Sequence, residues 1–242
     1  MVFGAGLGTR MMPLTADKPK PLVEVCGKPM IEYTFDKLKE FGIKKVVVNT
    51  HYKPEKLQNY IKGYKGLNIE YIHEDVLLNT GGGLLQALPL LGKEPFFVIN
   101  GDIVWRDKSE KNSLLQSMIE IWDSKTKAVL VLQTTKNAIG YDGNGDFFLS
   151  DKNEILVNNN AKTKPYVFTG IQLLRPELLD EFELSPFSLI EVYKKNINNS
   201  GVLEGVKGLV MKNSEWFHIG TPDGVDLAEK IMKQKVREKN PA

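Results

Sequence analysis

The strongest constraint on the fold is a rhythm in the first 134 residues. Five short apolar runs, rich in β-branched residues, recur there. They are "MVFGA" at the start, "KKVVVNT" (44–50), "IEYIHE" (69–74), "FFVING" (96–101) and "KAVLVLQT" (127–134). Runs this continuous suit strands covered on both faces, as in a parallel sheet. Helical patterns lie between them. Pro29 is expected to open the first, because proline is tolerated at a first helical position. Ile31, Phe35 and Leu38 then share one face, and Gly42 closes the helix. Pro54 opens "PEKLQNYIKG", a third helix follows the glycines at 81–83, and a fourth runs near residues 113–122. Strands alternating with helices predict an α/β fold, with a mostly parallel sheet flanked by helices.

After Thr134 the rhythm changes. "GDFFLSDKNEILV" reads as a hairpin, Tyr166–Leu174 as a strand, and "PFSLIEVYKKNI" as a helix. "GVKGLVMK" and "EWFHIG" read as further strands. The closing helix has Thr221 as N-cap and Pro222 at its first position, with Val225, Ala228 and Ile231 on one face. No linker or repeat breaks the chain, so residues 1–242 are expected to form one domain. Its parts are 1–134, 135–220 and a helix over 221–242. "NNNAKTK" (158–164) is the most loop-like stretch.

Composition excludes several classes. The net charge of +2 gives no strong field toward nucleic acid or an anionic membrane. A single cysteine, Cys26, permits no internal disulfide. No apolar run approaches the ~20 residues of a membrane span. No basic leader precedes an apolar segment at the N-terminus. The expectation is a cytoplasmic enzyme or binding protein.

The segment after the first strand is the chemically unusual one. "GAGLGTRMMPLTADKPKPL" (4–22) joins three glycines to Arg10, Lys18 and Lys20. Glycines let backbone N–H groups approach an anion closely, and cations add to that, so a triphosphate suits it. The Walker pattern is absent, and Thr9 stands where a dinucleotide fingerprint needs a third glycine. That weighs against a dinucleotide-dependent dehydrogenase.

The segment continued to Tyr33 resembles the signature of the sugar-1-phosphate nucleotidyltransferases, G-x-G-T-R-[LM]-x-P-L-T-x-x-x-P-K-P-[LM]. "VVVNTHY", "NTGGGLLQALPLL", "FFVINGDIVW", "GDFFL", "FTGIQLLRPEL" and "WFHIGTP" follow in the family's order. The combination is most similar to the N-acetylmuramate-1-phosphate uridylyltransferases of cell-wall recycling, with mannose-1-phosphate guanylyltransferases as near neighbours. The resemblance implies a Rossmann-like, glycosyltransferase-A-type fold with small β additions on the sugar side. It implies an enzyme joining an NTP, UTP first, to a sugar 1-phosphate with release of pyrophosphate. The sugar-phosphate oxygen attacks the α-phosphorus in line, so the protein positions and neutralises charge. A GDP-mannose or dTDP-glucose synthase remains an alternative, as does a non-catalytic nucleotide-sugar sensor.

The same resemblance distributes roles. Gly6, Gly8 and Thr9 supply backbone contacts to phosphates and ribose. Arg10 grips the outer phosphates with its fork of donors, and Lys20 stands at the α-phosphate. Thr80, Gly81 and Gly82 read the base edge through main-chain groups, and Asn100 lies on the ribose side. Asp102, at the C-terminal end of a buried strand, binds Mg²⁺. Thr169 and Gly170 line the sugar pocket, where Lys164 stands for a lysine on the sugar phosphate. Arg10, Lys20 and Asp102 carry catalysis. No nucleic acid or membrane partner is implied.

Two departures stand out. Many relatives have a metal-binding aspartate where His218 stands. The resemblance makes His218 a candidate second ligand beside Asp102, directly or through water, unless the ion rests on Asp102 and phosphates. Its softer imidazole would favour Mn²⁺ as a substitute. The family's first strand also begins several residues earlier, so a chain extended upstream is expected to be more stable. With little sequence after "GTPDGV", the added C-terminal β-helix of bifunctional relatives is not expected within these residues. His51 and His73 are expected to be polar residues at strand ends.

Overall fold

The computed structural model describes residues 1–108 and 113–239. The first half follows the expected alternation. In order come β1 (Val2–Phe3), a small ladder of β2 (Glu24–Val25) with β3 (Lys28–Pro29), α1 (Met30–Glu40), β4 (Lys45–Thr50), α2 (Pro54–Gly63), β5 (Asn68–His73), α3 (Asn79–Leu91) and β6 (Phe96–Asn100). Then come β7 (Val104–Asp107), α4 (Leu114–Glu120) and β8 (Ala128–Thr134). The second half adds β9 (Phe148–Leu149), β10 (Glu154–Leu156), β11 (Tyr166–Leu174), α5 (Leu189–Lys194), β12 (Val202–Val210), β13 (Ser214–Phe217) and α6 (Pro222–Lys239). Residues 240–242 of the expected closing helix lie outside the described residues.

One sheet of nine strands runs in the order β5-β4-β1-β6-β11-β8-β12-β10-β9. The pairs β5–β4, β4–β1, β1–β6 and β8–β12 are parallel; β11 is antiparallel to both β6 and β8. The hairpin β9–β10 forms one edge, as expected. Side-chain alternation splits the core into two layers. Val46, Val48, Val129 and Val131 face α1, α2 and α4, whereas Val47, Ala128, Leu130 and Leu132 face α3 and α5. Continuous apolar runs were needed because both faces are covered.

Helix ends obey local chemistry. Gly42 (φ 92°) ends α1, with Ile43 N–H donating to Leu38 O and Gly42 N–H to Lys39 O, each at 3.0 Å. Pro29 is not the first helical residue. It is the last residue of β3, and Met30 begins the helix. Thr221 caps α6 through its hydroxyl, which accepts from Gly224 N–H at 3.3 Å. Val225 and Ala228 of that helix are buried, with Ile231 packed beside them.

β1 extends only two residues, yet its ladder begins at Met1. The Met1 amino group donates to Phe97 O at 2.7 Å, and Met1 O accepts from Ile99 N–H. The chain leaves β1 toward β4 and β5, then crosses back to β6 on the other side of β1. Such a reversal opens a crevice at the carboxyl ends of the strands, where open α/β sheets place ligands.

Candidate active site

That crevice holds a cavity of about 420 Å³. Its walls come from the end of β1 (Phe3 to Gly6), from Lys20, from Asn49 on β4, from the segment 74–80, and from Asn100 and Asp102 after β6. Pro186, far along the chain, completes it.

The glycine-rich segment is anchored rather than loose. Met11 is fully buried among Val23, Val25, Met30, Val104, Phe217, Ile219, Val225 and Ala228. Gly8 adopts the left-handed conformation (φ 66°) that opens a short 3₁₀ turn over Thr9–Met11. A Cβ there would sit 3.0 Å from both Lys20 Cβ and Thr15 Cγ2. Thr15 Oγ1 donates to Gly8 O at 2.9 Å. A second 3₁₀ turn, Lys20–Leu22, presents Lys20 from between Pro19 and Pro21.

Lys20 and Asp102, 82 residues apart, meet at 2.6 Å on the cavity wall. Lys20 is mostly buried and Asp102 one-third exposed. Asp102 is held by the β1–β6 seam, where Gly101 N–H donates to Phe3 O at 2.9 Å. A Cβ on Gly101 would lie 2.5 Å from that oxygen. Gly6 and Asn100 also line the cavity, as does Thr80. Gly6 is exposed, with open space where a Cβ would stand. Gly8, Thr9 and Arg10 are not part of the wall; Thr9 and Arg10 are exposed beside it in sequence.

His218 packs edge-on against Tyr141 and tilted against Trp216, with ring centroids 5.7 and 5.6 Å apart. Burial holds its pKa below the ordinary histidine value. Lys20 and Arg10 act in the same direction and Asp102 opposes them. His218 thus feels the same charges that the leading segment and Asp102 bring together. Among the described residues no three His, Cys, Asp or Glu side chains form a metal cage. Asp102, which lines the cavity, is a hard oxygen donor of the kind that could hold Mg²⁺.

Two groups of expected site residues are held by packing in this structure. Gly81 and Gly82 lie inside the first turn of α3 instead of preceding the helix. Their N–H groups donate to Phe187 O, at 2.9 and 3.4 Å, and neither residue lines the cavity. A Cβ would overlap the Phe187 ring at position 81 and the Ser185 carbonyl oxygen at position 82. These glycines admit the 185–187 segment, and their N–H groups face Phe187 O. Thr80 Oγ1 joins the same clamp by accepting from Leu189 N–H at 2.9 Å.

Thr169 and Gly170 belong to the walls of neither the crevice cavity nor the second cavity described below. Thr169 is buried, and its hydroxyl donates to Val131 O at 2.9 Å. Gly170 (φ 80°) sits where the β11–β8 register shifts, and a Cβ there would come within 2.5 Å of Asn100 Nδ2. It is a strand glycine at an irregularity that lets Asn100 approach. Lys164 lines a second cavity, of about 370 Å³, together with Asp146, Phe168 and Lys194. Two links join the cavities: Asn100 of the first lies against Gly170, two residues from Phe168 of the second, and the 186–194 segment supplies walls to both.

The sequence did not single out Asn49, Glu74 or Pro186, which all line the first cavity. His51 and His73 stand at strand ends, as expected. They stack with ring centroids 6.5 Å apart, and His51 Nδ1 is 2.8 Å from Glu74 O.

Comparison with known proteins identifies the family and the fold. Residues 1–143 match the family model described as "Nucleotidyl transferase". The chain is 35% identical over 237 residues to an N-acetylmuramate alpha-1-phosphate uridylyltransferase of Caulobacter vibrioides, covering 95% of this chain and 94% of that one. It is 28% identical to mannose-1-phosphate guanyltransferase 2 of Candida glabrata, covering all of this chain and 66% of the relative. In structure it is similar to HddC from Yersinia pseudotuberculosis, with a TM-score of 0.75, 20% identity, and 96% and 97% of the two chains covered. No helix of the described residues is long and apolar enough to cross a membrane. With the family model covering more than half its length, and a relative above 30% identity along nearly all of it, the chain belongs to the nucleotidyl transferase family and is a nucleotidyltransferase.

Proposed function

We propose that the enzyme joins UTP to N-acetylmuramate 1-phosphate, releasing pyrophosphate. The observation that carries this is the meeting of Lys20 and Asp102 at 2.6 Å on the wall of the crevice cavity. A cation and an anion in contact neutralise one another until a substrate separates them. When a triphosphate enters, Lys20 exchanges the Asp102 carboxylate for α-phosphate oxygens and stabilises the charge that builds there. Arg10, exposed and two residues beyond Gly8, folds over the outer phosphates. The open space at Gly6 lets backbone approach the phosphates, and Asn100 faces the ribose. Released from Lys20, Asp102 would hold a Mg²⁺, with His218 as the second candidate ligand. Bound there, the ion would supply charge neutralisation between the phosphates of the two substrates.

Residues 1–134 thus form the nucleotide part, and 135–220 carry the sugar. The second cavity, rather than Thr169, receives the sugar, with Lys164 toward its phosphate. Its apolar walls include Phe147, Val157, Phe168, Ile190 and Leu203, which suit the C–H faces of a pyranose. Lys194 is exposed at its edge. A muramate carries a lactyl carboxylate that mannose, glucose and N-acetylglucosamine lack, and a cation at this place favours it. The relative at 35% identity acts by its name on N-acetylmuramate 1-phosphate, which supports the same sugar.

The test is a pyrophosphate-release screen of UTP, GTP, dTTP, CTP and ATP against the 1-phosphates of N-acetylmuramate, mannose, glucose and N-acetylglucosamine. UTP with N-acetylmuramate 1-phosphate is expected to turn over best. In Lys194→Gln the preference for the acidic over the neutral sugars is expected to fall about tenfold. A better neutral sugar, or no turnover with any pair, overturns the proposal.

A further inference from the structure

We propose that Glu74 is a positioning residue that fixes the distance between the glycine-rich wall and the 78–80 wall of the nucleotide cavity. Only a carboxylate at this position can do so with asparagine at position 49. The inference rests on the crevice cavity being the nucleotide site.

Three hydrogen bonds run in series beneath that cavity. Gly4 N–H, where the glycine-rich segment leaves β1, donates to Asn49 Oδ1 at 2.8 Å. Asn49 Nδ2 donates to Glu74 Oε1 at 2.5 Å. Leu78 N–H, which immediately precedes α3, donates to Glu74 Oε2 at 2.8 Å. Asn49 and Glu74 are both buried, and both contribute to the cavity wall. The series therefore ties the start of the glycine-rich segment, through the ends of β4 and β5, to the segment that carries Asn79 and Thr80.

The direction of every bond is forced. Gly4 N–H can only donate, so the oxygen of the Asn49 amide must face it and the NH₂ must face Glu74. Leu78 N–H can also only donate. Position 74 must then accept at both ends of its side chain, which a carboxylate does and a primary amide cannot. A glutamine there turns its NH₂ toward one of two N–H donors and leaves that donor buried without a partner. The same strut accounts for Gly83, whose Cβ would overlap Glu74 Oε1 and come within 2.9 Å of Asn49 Nδ2.

Because the polarity is fixed, it can be inverted. In Asn49→Asp alone, two carboxylates face each other at the position of the 2.5 Å bond. In Glu74→Gln alone, one donor loses its acceptor. In the double variant Asn49→Asp/Glu74→Gln, the new aspartate accepts from Gly4 N–H and from the new glutamine. That glutamine's oxygen accepts from Leu78 N–H. Side-chain size and total charge equal those of the native pair.

The experiment measures UTP dissociation constants by calorimetry, the KM of each substrate, and thermal midpoints for the four proteins. Each single variant is expected to weaken UTP binding about tenfold or more, the scale of one lost buried hydrogen bond. The KM for the sugar 1-phosphate should stay unchanged. The double variant should return UTP affinity to within about threefold of the native value. If a single variant does not fold, recovery in the double variant still tests the claim. Single variants that bind UTP normally, or a double variant no better than the worse single, would overturn it. A native enzyme that binds no UTP would instead refute the nucleotide assignment.

Discussion

Met11→Ala tests whether the glycine-rich segment works because it is anchored. Met11 has no exposed surface, and its neighbours belong to β2, α1, β7, β13 and α6. Elements this dispersed cannot close together on a hole. Truncation of a buried methionine costs about 2–5 kcal/mol, and about 3 kcal/mol suits a site that collapses poorly. For a chain of this size each kcal/mol moves the midpoint by about 2–4 °C, so the expected drop is about 6–12 °C. Function should suffer beyond the lost stability, because Gly8 and Lys20 are placed through contacts at either end of the same segment. The assay is a pair of melting curves, with and without saturating UTP, beside kcat/KM at 20 °C, well below the transition. The expected result is the lower midpoint together with a smaller UTP-induced rise and a kcat/KM reduced at least tenfold. A midpoint within 2 °C of native, with unchanged kcat/KM, would refute the idea that this side chain holds the segment.

Two further outcomes follow from the geometry. His218 is held below its ordinary pKa chiefly by burial, then by Lys20. As pH falls through the ordinary histidine range, the unfolded chain takes up a proton that the folded chain resists, so stability decreases with decreasing pH. Melting midpoints from pH 8 to 5 should show that decline, and His218→Asn should make it shallower; identical slopes would count against the assignment. Gly82→Ala should cost about 1–3 kcal/mol and displace the 185–187 segment, because its methyl group would overlap the Ser185 carbonyl. A circular-dichroism melt indistinguishable from native would show that this contact relaxes freely.

Much of this was legible in the chain, and what was hidden has a physical cause. Pro54, Gly42 and the Thr221–Pro222 pair act locally, so they marked helix ends correctly. That Asp102 lines the crevice was legible from its place just after a buried strand, whereas its expected role came from the resemblance. The β7–β13 ladder was only half visible, since β7 is four residues beside a partner more than 100 positions later. The packing of Gly81 and Gly82 was hidden for the same reason: the segment that occupies their surface, 185–187, is remote in sequence. Thr169 belongs to a strand whose local irregularity turns the hydroxyl to β8, which no pattern of residue types reveals. Asn49 and Glu74 look like ordinary polar strand ends. Their significance is relational and appears only when Gly4, β4 and α3 are brought together.

The most direct measurement is a crystal structure with Mg²⁺, the sugar 1-phosphate and a UTP analogue whose α–β bridge cannot be cleaved. The expected result has Lys20 Nζ parted from Asp102 and about 2.7–3.2 Å from an α-phosphate oxygen, with Asp102 turned to the ion. Nucleotide bound outside the crevice, or a Lys20 still paired with Asp102 while both substrates are in place, would contradict the account.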